Sequence, residues 1–163
     1  MRHNSKKQKR IITLIGIFFI LILSVLAVFS ISRSPINQAR KQTIAVAQKR
    51  VGLNNPGEFY LFDYDKTYYT ISGDNKYGKP IYVIVYPKTG SITVLNHNSG
   101  FNHKEILNLV KNNYSPYKIL NGNLGLYKNQ PVWDVSFLNK KGQLNFLILS
   151  FKNGSNIKYI KNV

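Results

Sequence analysis

The sequence predicts an α+β protein in which an N-terminal transmembrane helix precedes two tandem units, each with one helix packed on an antiparallel sheet. The first observation is an apolar run over residues 11–31 that contains no charged side chain, since a spanning helix needs about 20 such residues. The second is a helical apolar spacing followed by alternating strand patterns, which occurs twice, over residues 34–95 and 102–163. The third is a Lys-x-Gly-Ser turn that joins two strands in each unit.

The apolar run is flanked on its N-terminal side by a basic tail. Residues 1–10 carry five cationic side chains: Arg2, Lys6, Lys7, Lys9 and Arg10. This excess favours a cytoplasmic N-terminus. We therefore expect residues 11–31 to be an uncleaved signal anchor of a single-pass protein in the cell membrane, with the C-terminal units extracytoplasmic.

A cleaved signal peptide is the alternative to an anchor. Val28, Phe29 and Ser30 could form a cleavage site. However, the run is longer than the core of about 7–15 apolar residues that is typical of such peptides. The chain has no cysteine, which excludes a lipoprotein anchor.

The first unit, 34–95, begins with a predicted helix. Ser34 followed by Pro35 is typical of a helix N-cap and first helical position, and Gly52 is typical of a helix end. We expect the helix to cover residues 35–53. Alternation then predicts strands at 58–63, 66–72, 81–86 and 91–95.

The second unit, 102–163, repeats this order. Asn102 is the predicted N-cap of a shorter helix, and strands are predicted at 117–120, 125–127, 132–138, 144–151 and 156–160. The long polar stretch 121–129 of the second unit is expected to alter an edge or a binding loop. Units of this size are marginally stable alone, so we expect the two to pack against each other.

Charge indicates an anionic neighbour. The chain has 23 Lys and Arg against 6 Asp and Glu, a formal charge of +17. An extracytoplasmic location argues against nucleic acid and favours anionic lipid or an anionic wall polymer. The second unit has the larger excess of cations, so we expect such contact there. The alternative is a basic composition without a specific anionic ligand.

Candidate chemical groups are few. His97 and His103 lie between the units and are interpreted as solvated linker residues, because a metal site there would need a third ligand. Asp63 and Asp65 could pair for acid–base chemistry or calcium, but their position favours a turn. The tyrosine-rich strands, with Tyr60 the first of the alternating series, are expected mainly to line the core. We predict no catalytic, cofactor-binding or metal site, no cofactor, and a protein that is not an enzyme.

Short motifs add a family resemblance. A single spanning helix, two helix-plus-sheet repeats, Tyr-Tyr-Thr-Ile-Ser-Gly at residues 68–73 and the hairpin at 82–90 resemble the YpmB/TseB-like membrane proteins of Gram-positive bacteria. The resemblance implies a cystatin-like fold related to PepSY domains. It also implies regulation of cell-wall elongation through association with a penicillin-binding transpeptidase.

The predicted function is therefore that of a membrane-anchored, extracytoplasmic, non-enzymatic regulator of cell-wall elongation. One alternative is a PepSY-like inhibitor or chaperone of an exported protease. A second alternative is an electrostatic tether to anionic wall polymer.

Overall fold

The structure is a computed structural model that describes residues 3–161, with side chains at residues 12–24 and 35–161. Helix α1 spans His3–Val51 and α2 spans His103–Tyr114. The strands are β1 (Phe59–Asp63), β2 (Thr67–Asp74), β3 (Pro80–Tyr86), β4 (Ser91–Asn96), β5 (Lys118–Tyr127), β6 (Gln130–Leu138), β7 (Leu144–Ser150) and β8 (Asn156–Ile160). They form two four-stranded antiparallel sheets, here called the first sheet (β1–β4) and the second sheet (β5–β8).

Helix α1 begins earlier than the sequence predicts. Pro35 lies inside the helix, so the predicted start at Ser34 and Pro35 is wrong. A proline removes one backbone hydrogen bond, but here the helix continues through it. The predicted end is confirmed, because Gly52 adopts the left-handed conformation (φ 64°) that closes many helices.

The chain divides into two compact units between Ala39 and Arg40. In the N-terminal unit, every large apolar side chain from Ile12 to Leu23 is exposed, by between 41% and 68%. Among the described residues, no helix combines the length and apolarity needed to cross a membrane. Part of the predicted anchor, 11–31, and all side chains of the basic tail, 1–10, lie outside the side chains that the structure describes. Both therefore stay predictions.

In the C-terminal unit, the end of α1 packs on one face of the first sheet. Its small side chains Thr43 and Ala47 are buried, and Ala47 joins a core formed by the sheet residues Ile71, Val83 and Val85. Two arginines connect the same helix to the segment before β1 and to the turn between β3 and β4. Arg40 donates to the Gly57 carbonyl and Arg50 donates to the Gly90 carbonyl, each at 3.1 Å.

The second sheet carries α2 on one face. Trp133 and Phe137 of β6 point towards this helix, where their rings contact His103 and Tyr114. The helix begins as predicted at Asn102, whose side chain accepts from the Glu105 N–H at 3.0 Å, while the Glu105 carboxylate accepts from the Asn102 N–H at 2.9 Å. This reciprocal capping box satisfies two N–H groups that the helix cannot pair itself.

The polar stretch 121–129 is not a loop. Strand β5 is continuous over Lys118–Tyr127, with one bulge between Ile119 and Asn121. The prediction of two short strands was wrong because backbone pairing with β6 outweighs the low strand propensity of Asn and Gly. Lys128 and Asn129, both with positive φ, form the tight turn that follows.

The two sheets meet through a shared core. Tyr60, Phe62, Tyr68 and Tyr82 of the first sheet pack in one cluster with Trp133 and other buried residues of the second sheet. The Thr70 hydroxyl donates to the Leu124 carbonyl at 2.7 Å across this contact. The expectation that the two repeats pack against each other is therefore confirmed, although the predicted domain boundaries, 34–95 and 102–163, stay predictions.

Candidate functional site at the seam between the sheets

An open cleft of about 230 Å³ lies where the first sheet meets the start of α2. Its walls come from the first sheet, the 3₁₀ turn His97–Ser99 and the first turn of α2. The side chains that line it are Glu58, Tyr60, Ser72, Tyr82, His97, Asn102, His103 and Lys104. Residues far apart in the chain are thus brought together by packing of the sheets.

The cleft has an aromatic floor. Trp133 is fully buried, and the rings of Tyr60 and Tyr82 meet it edge to face at 5.4 and 5.9 Å between centroids. Its indole N–H donates to the Phe101 carbonyl at 2.8 Å. Edge-to-face packing suits the charge distribution of aromatic rings, so this cluster has one defined arrangement.

Both histidines belong to this cluster. His97 stacks on Tyr82 at 5.0 Å between ring centroids, and His103 stacks on Trp133 at 5.5 Å. Both are only partly exposed. Their interpretation as solvated linker residues was therefore wrong, because the segment between the sheets is packed against the seam.

Glu58 is the acidic group of the cleft. Its carboxylate accepts a hydrogen bond from the Tyr60 hydroxyl and lies 3.5 Å from Nδ1 of His103. The Glu58 N–H in turn donates to Ser72 Oγ at 2.7 Å. Glu58 thus connects strands β1 and β2 with the start of α2.

The tyrosines of the cleft are hydrogen-bond donors. Burial, reinforced by the hydrogen bond to Glu58, raises the pKa of Tyr60 far above its ordinary value. Burial also raises the pKa of Tyr82, to about 12. Both phenols therefore stay protonated near neutral pH, where a phenol is a poor nucleophile or base. The single O–H of Tyr60 is already donated to Glu58.

A metal ion would need several ligands at one place. Among the side chains that the structure describes, at residues 12–24 and 35–161, no group of three His, Asp or Glu is placed to hold one. The prediction of no catalytic, cofactor or metal site is not tested by this observation and stays a prediction. What the cleft offers is a set of hydrogen-bond donors and one carboxylate over an aromatic floor.

Other residues singled out in the sequence take structural positions. Asp63 accepts from the Thr67 hydroxyl at 2.8 Å, and Asp65 accepts from the Lys66 N–H at 2.9 Å, so both shape the β1–β2 turn as expected. Tyr60 is buried in the core, as the strand alternation predicts. Tyr64 lies beyond it and is 39% exposed, with its ring against Tyr127.

No local pattern in the sequence predicts the cleft. Glu58 and Tyr60 have the two-residue spacing that places side chains on one strand face, but Trp133 and His103 come from distant segments. The lone tryptophan was the one available signal, because a single large aromatic in a small domain is often central to its core.

Three comparisons identify similar proteins. A family model described as "Cell wall elongation regulator TseB-like domain" matches residues 42–86. The chain is 26% identical over 161 residues to the "Probable cell wall elongation regulator TseB" of Bacillus subtilis (strain 168), a match covering 97% of this chain and 98% of that protein.

A solved structure has a similar fold. The "YpmB protein from Bacillus subtilis" superposes with a TM-score of 0.64 and 24% identity, covering 74% of this chain and 95% of that one. This likeness concerns the fold. Together with the family model over residues 42–86 and the full-length relative, it confirms the predicted resemblance to the YpmB/TseB-like family.

Proposed function

We propose that the chain is a membrane-anchored, extracytoplasmic protein that regulates cell-wall elongation without catalysing a reaction, through contact with a penicillin-binding transpeptidase. The observation that carries this proposal is the similarity along 97% of the chain to a protein named as a probable cell-wall elongation regulator. That similarity supports a role in the cell wall. The transpeptidase and the anchor are the finer parts of the proposal.

The N-terminal helix supports the anchor. The side chains from Ile12 to Leu23 include ten large apolar residues, all of them exposed. An apolar surface around a whole helix is unfavourable in water and is suited to lipid. The basic residues before it favour a cytoplasmic N-terminus.

The cleft supports a binding role. Its tyrosines are held as neutral donors, and Glu58 is already paired with Tyr60 and close to His103. These groups stabilise the junction of the two sheets. A junction of this kind gives a partner one rigid body to contact, which lowers the entropic cost of binding.

Site-specific photocrosslinking in intact cells tests the partner. A photoreactive residue is placed in turn at exposed apolar positions that sample different parts of the C-terminal unit: Tyr64, Tyr77, Val94, Tyr117, Leu120 and Ile157. We expect at least one position to give an adduct that also carries a fluorescent penicillin label, and no adduct without light. Absence of a labelled adduct from every position, with normal amounts of the chain in membranes, would contradict the proposal.

N-terminal sequencing of the membrane-bound protein tests the anchor separately. An uncleaved anchor leaves the chain beginning at Met1 or Arg2. A mature protein that begins at Ile31 would show that residues 1–30, and with them nearly the whole apolar run, are removed, and the transpeptidase contact would then have to occur without a tether.

A further inference from the structure

A second groove, remote from the cleft, lies at the opposite end of α2. It has a volume of about 460 Å³ and lies between the C-terminal end of α2 and the turn that joins β6 to β7. The residues that line it are Tyr114, Ser115, Asn139, Lys140, Lys141 and Gln143. Two adjacent lysines therefore form one wall of a groove.

The turn that presents these lysines is ordered by Asn139. Its Oδ1 accepts from the N–H of Lys141 at 2.9 Å and from the N–H of Gln143 at 3.0 Å, and its Nδ2 donates to Gln143 Oε1 at 3.0 Å. Lys140 and Lys141 are both exposed at the tip. Because the backbone is already fixed, ligand binding needs to order only the lysine side chains.

Two further lysines lie on the elements that border the groove. The Tyr117 N–H donates to the Leu138 carbonyl at 2.8 Å, and Lys118 pairs with Leu138 across the sheet, so the start of β5 lies beside the turn. Lys111 is in the last turn of α2. We call Lys111, Lys118, Lys140 and Lys141 the basic patch.

Within the described part of the second repeat, residues 102–161, the two side-chain carboxylates lie away from the basic patch. Glu105 is in the first turn of α2, six residues before Lys111, or about 9 Å along the helix axis at 1.5 Å per residue. Asp134 is four residues along β6 from Leu138, about 13 Å at 3.3 Å per residue. Both distances exceed the screening length of about 8 Å at physiological salt. Among the described residues, none of the four lysines forms an ion pair with a carboxylate.

Apolar groups lie next to the cations. Tyr117 is 75% exposed, and Leu120, at the bulge of β5, is 46% exposed. Such side chains can contact the carbon skeleton of a ligand while the lysines contact its charges. A groove with this combination suits a linear polymer better than the flat surface of a bilayer.

We propose that the basic patch binds a linear polyanion whose phosphodiester groups are joined by polyol or sugar units. Lysine ammonium groups bind phosphate as point charges. A groove lined by charges of one sign also concentrates the electrostatic potential. Binding of the polymer places the second sheet on the anionic matrix outside the membrane. This interaction is separate from the transpeptidase contact, and either can fail without the other.

The test uses the full chain in phosphatidylcholine nanodiscs and a fluorescent synthetic poly(glycerol phosphate). The patch variant is Lys118→Gln, Lys140→Gln and Lys141→Gln together. The control variant is Lys76→Gln, Lys79→Gln and Lys88→Gln, which removes the same charge from exposed positions in the turns between β2, β3 and β4. A parallel arm measures co-sedimentation of the nanodisc-held chain with vesicles that contain phosphatidylglycerol.

We expect the patch variant to bind the polymer about tenfold more weakly at 50 mM salt and the control variant to stay within about twofold of the original chain. The slope of the logarithm of the binding constant against the logarithm of the salt concentration should become shallower by about 2, because three phosphate contacts are lost. Equal loss in both variants, or no binding of the polymer, would overturn the proposal. So would vesicle binding that depends on the basic patch while polymer binding does not.

Discussion

The two sheets are built from similar hairpins but are covered differently. The first sheet lies between the end of α1 on one face and the second sheet on the other, and five consecutive residues of β3 are buried. The second sheet has α2 on one face, while its outer strand β8 is largely exposed. Similar repeats can therefore form one body when one of the two sheets packs on both of its faces.

The seam between the sheets should therefore contribute more to stability than contacts within either repeat. Trp133 tests this most strongly, because it is fully buried in the second sheet and contacts rings of the first sheet and of α2. Trp133→Ala should lower the free energy of unfolding by about 3–5 kcal/mol, measured by chemical denaturation followed by circular dichroism. A cost below about 1 kcal/mol would contradict a seam built on this residue.

Two glycines of β5 allow the contact between the sheets to be compared with the contact between the second sheet and α2. Gly125 lies against the first sheet, and Gly122 lies against α2. A Cβ at Gly125 would lie 2.2 Å from Cγ of Phe62 in the first sheet, whereas a Cβ at Gly122 would meet the flexible end of Leu107 at 2.9 Å. Gly125→Ala should destabilise the protein by about 2–3 kcal/mol, and Gly122→Ala by clearly less. Thermal unfolding of the two variants measures the two losses of stability. Equal losses would contradict the prediction that Gly125→Ala is the more destabilising substitution.

The face of the second sheet turned away from α2 provides a pH-dependent test. Asp134 lies on that face beside Asn123 and Ile148, and burial raises its pKa to about 6. The unfolded carboxyl ionises near pH 4, so the folded state holds the extra proton between about pH 4 and 6. Stability should fall as pH rises through this window and stay level above it.

Asp134→Asn removes this dependence. The variant should be more stable than the original chain at pH 7 by about 1–2 kcal/mol, after allowance for partial exposure, as measured by denaturation at pH 4 and pH 7. Asp65→Asn, at an exposed turn, is the matched control and should leave the fall in stability between pH 4 and 6 in place. A variant whose stability falls like that of the original chain would refute the assignment.

The helices of the two repeats differ in how they begin. Removing the cap of α2 is expected to lower the stability less than the other substitutions do. The first repeat uses the end of the long α1, whereas α2 begins at its own capping box. Asn102→Ala should cost about 1 kcal/mol, whereas Asn102→Asp keeps the acceptor and should cost less. Helix content and thermal unfolding measure both, and equal losses would show that the cap is not responsible.

Local patterns in the sequence predicted much of this fold. Asn102 and Gly52 were recognised as helix boundaries because capping chemistry is local, and most strands were recognised by alternation. Strand β5 was interpreted wrongly, because its Asn and Gly residues are held by pairing with β6 rather than by their own propensity.

The candidate site was beyond such patterns. His97 and His103 have no local feature that reveals stacking on Tyr82 and Trp133. Their positions follow from how the two sheets pack, which depends on close approaches such as that of Phe62 to Gly125. Long-range contacts of this kind leave little signal in one sequence.

Hydrogen exchange across a denaturant series tests the central claim, that the two sheets form one cooperative body. Amides of β3 and β7, one strand from each sheet, should lose protection together, with the same free energy of opening. Loss of protection in one strand at a denaturant concentration where the other remains protected would show that the two sheets unfold independently, and would contradict the account.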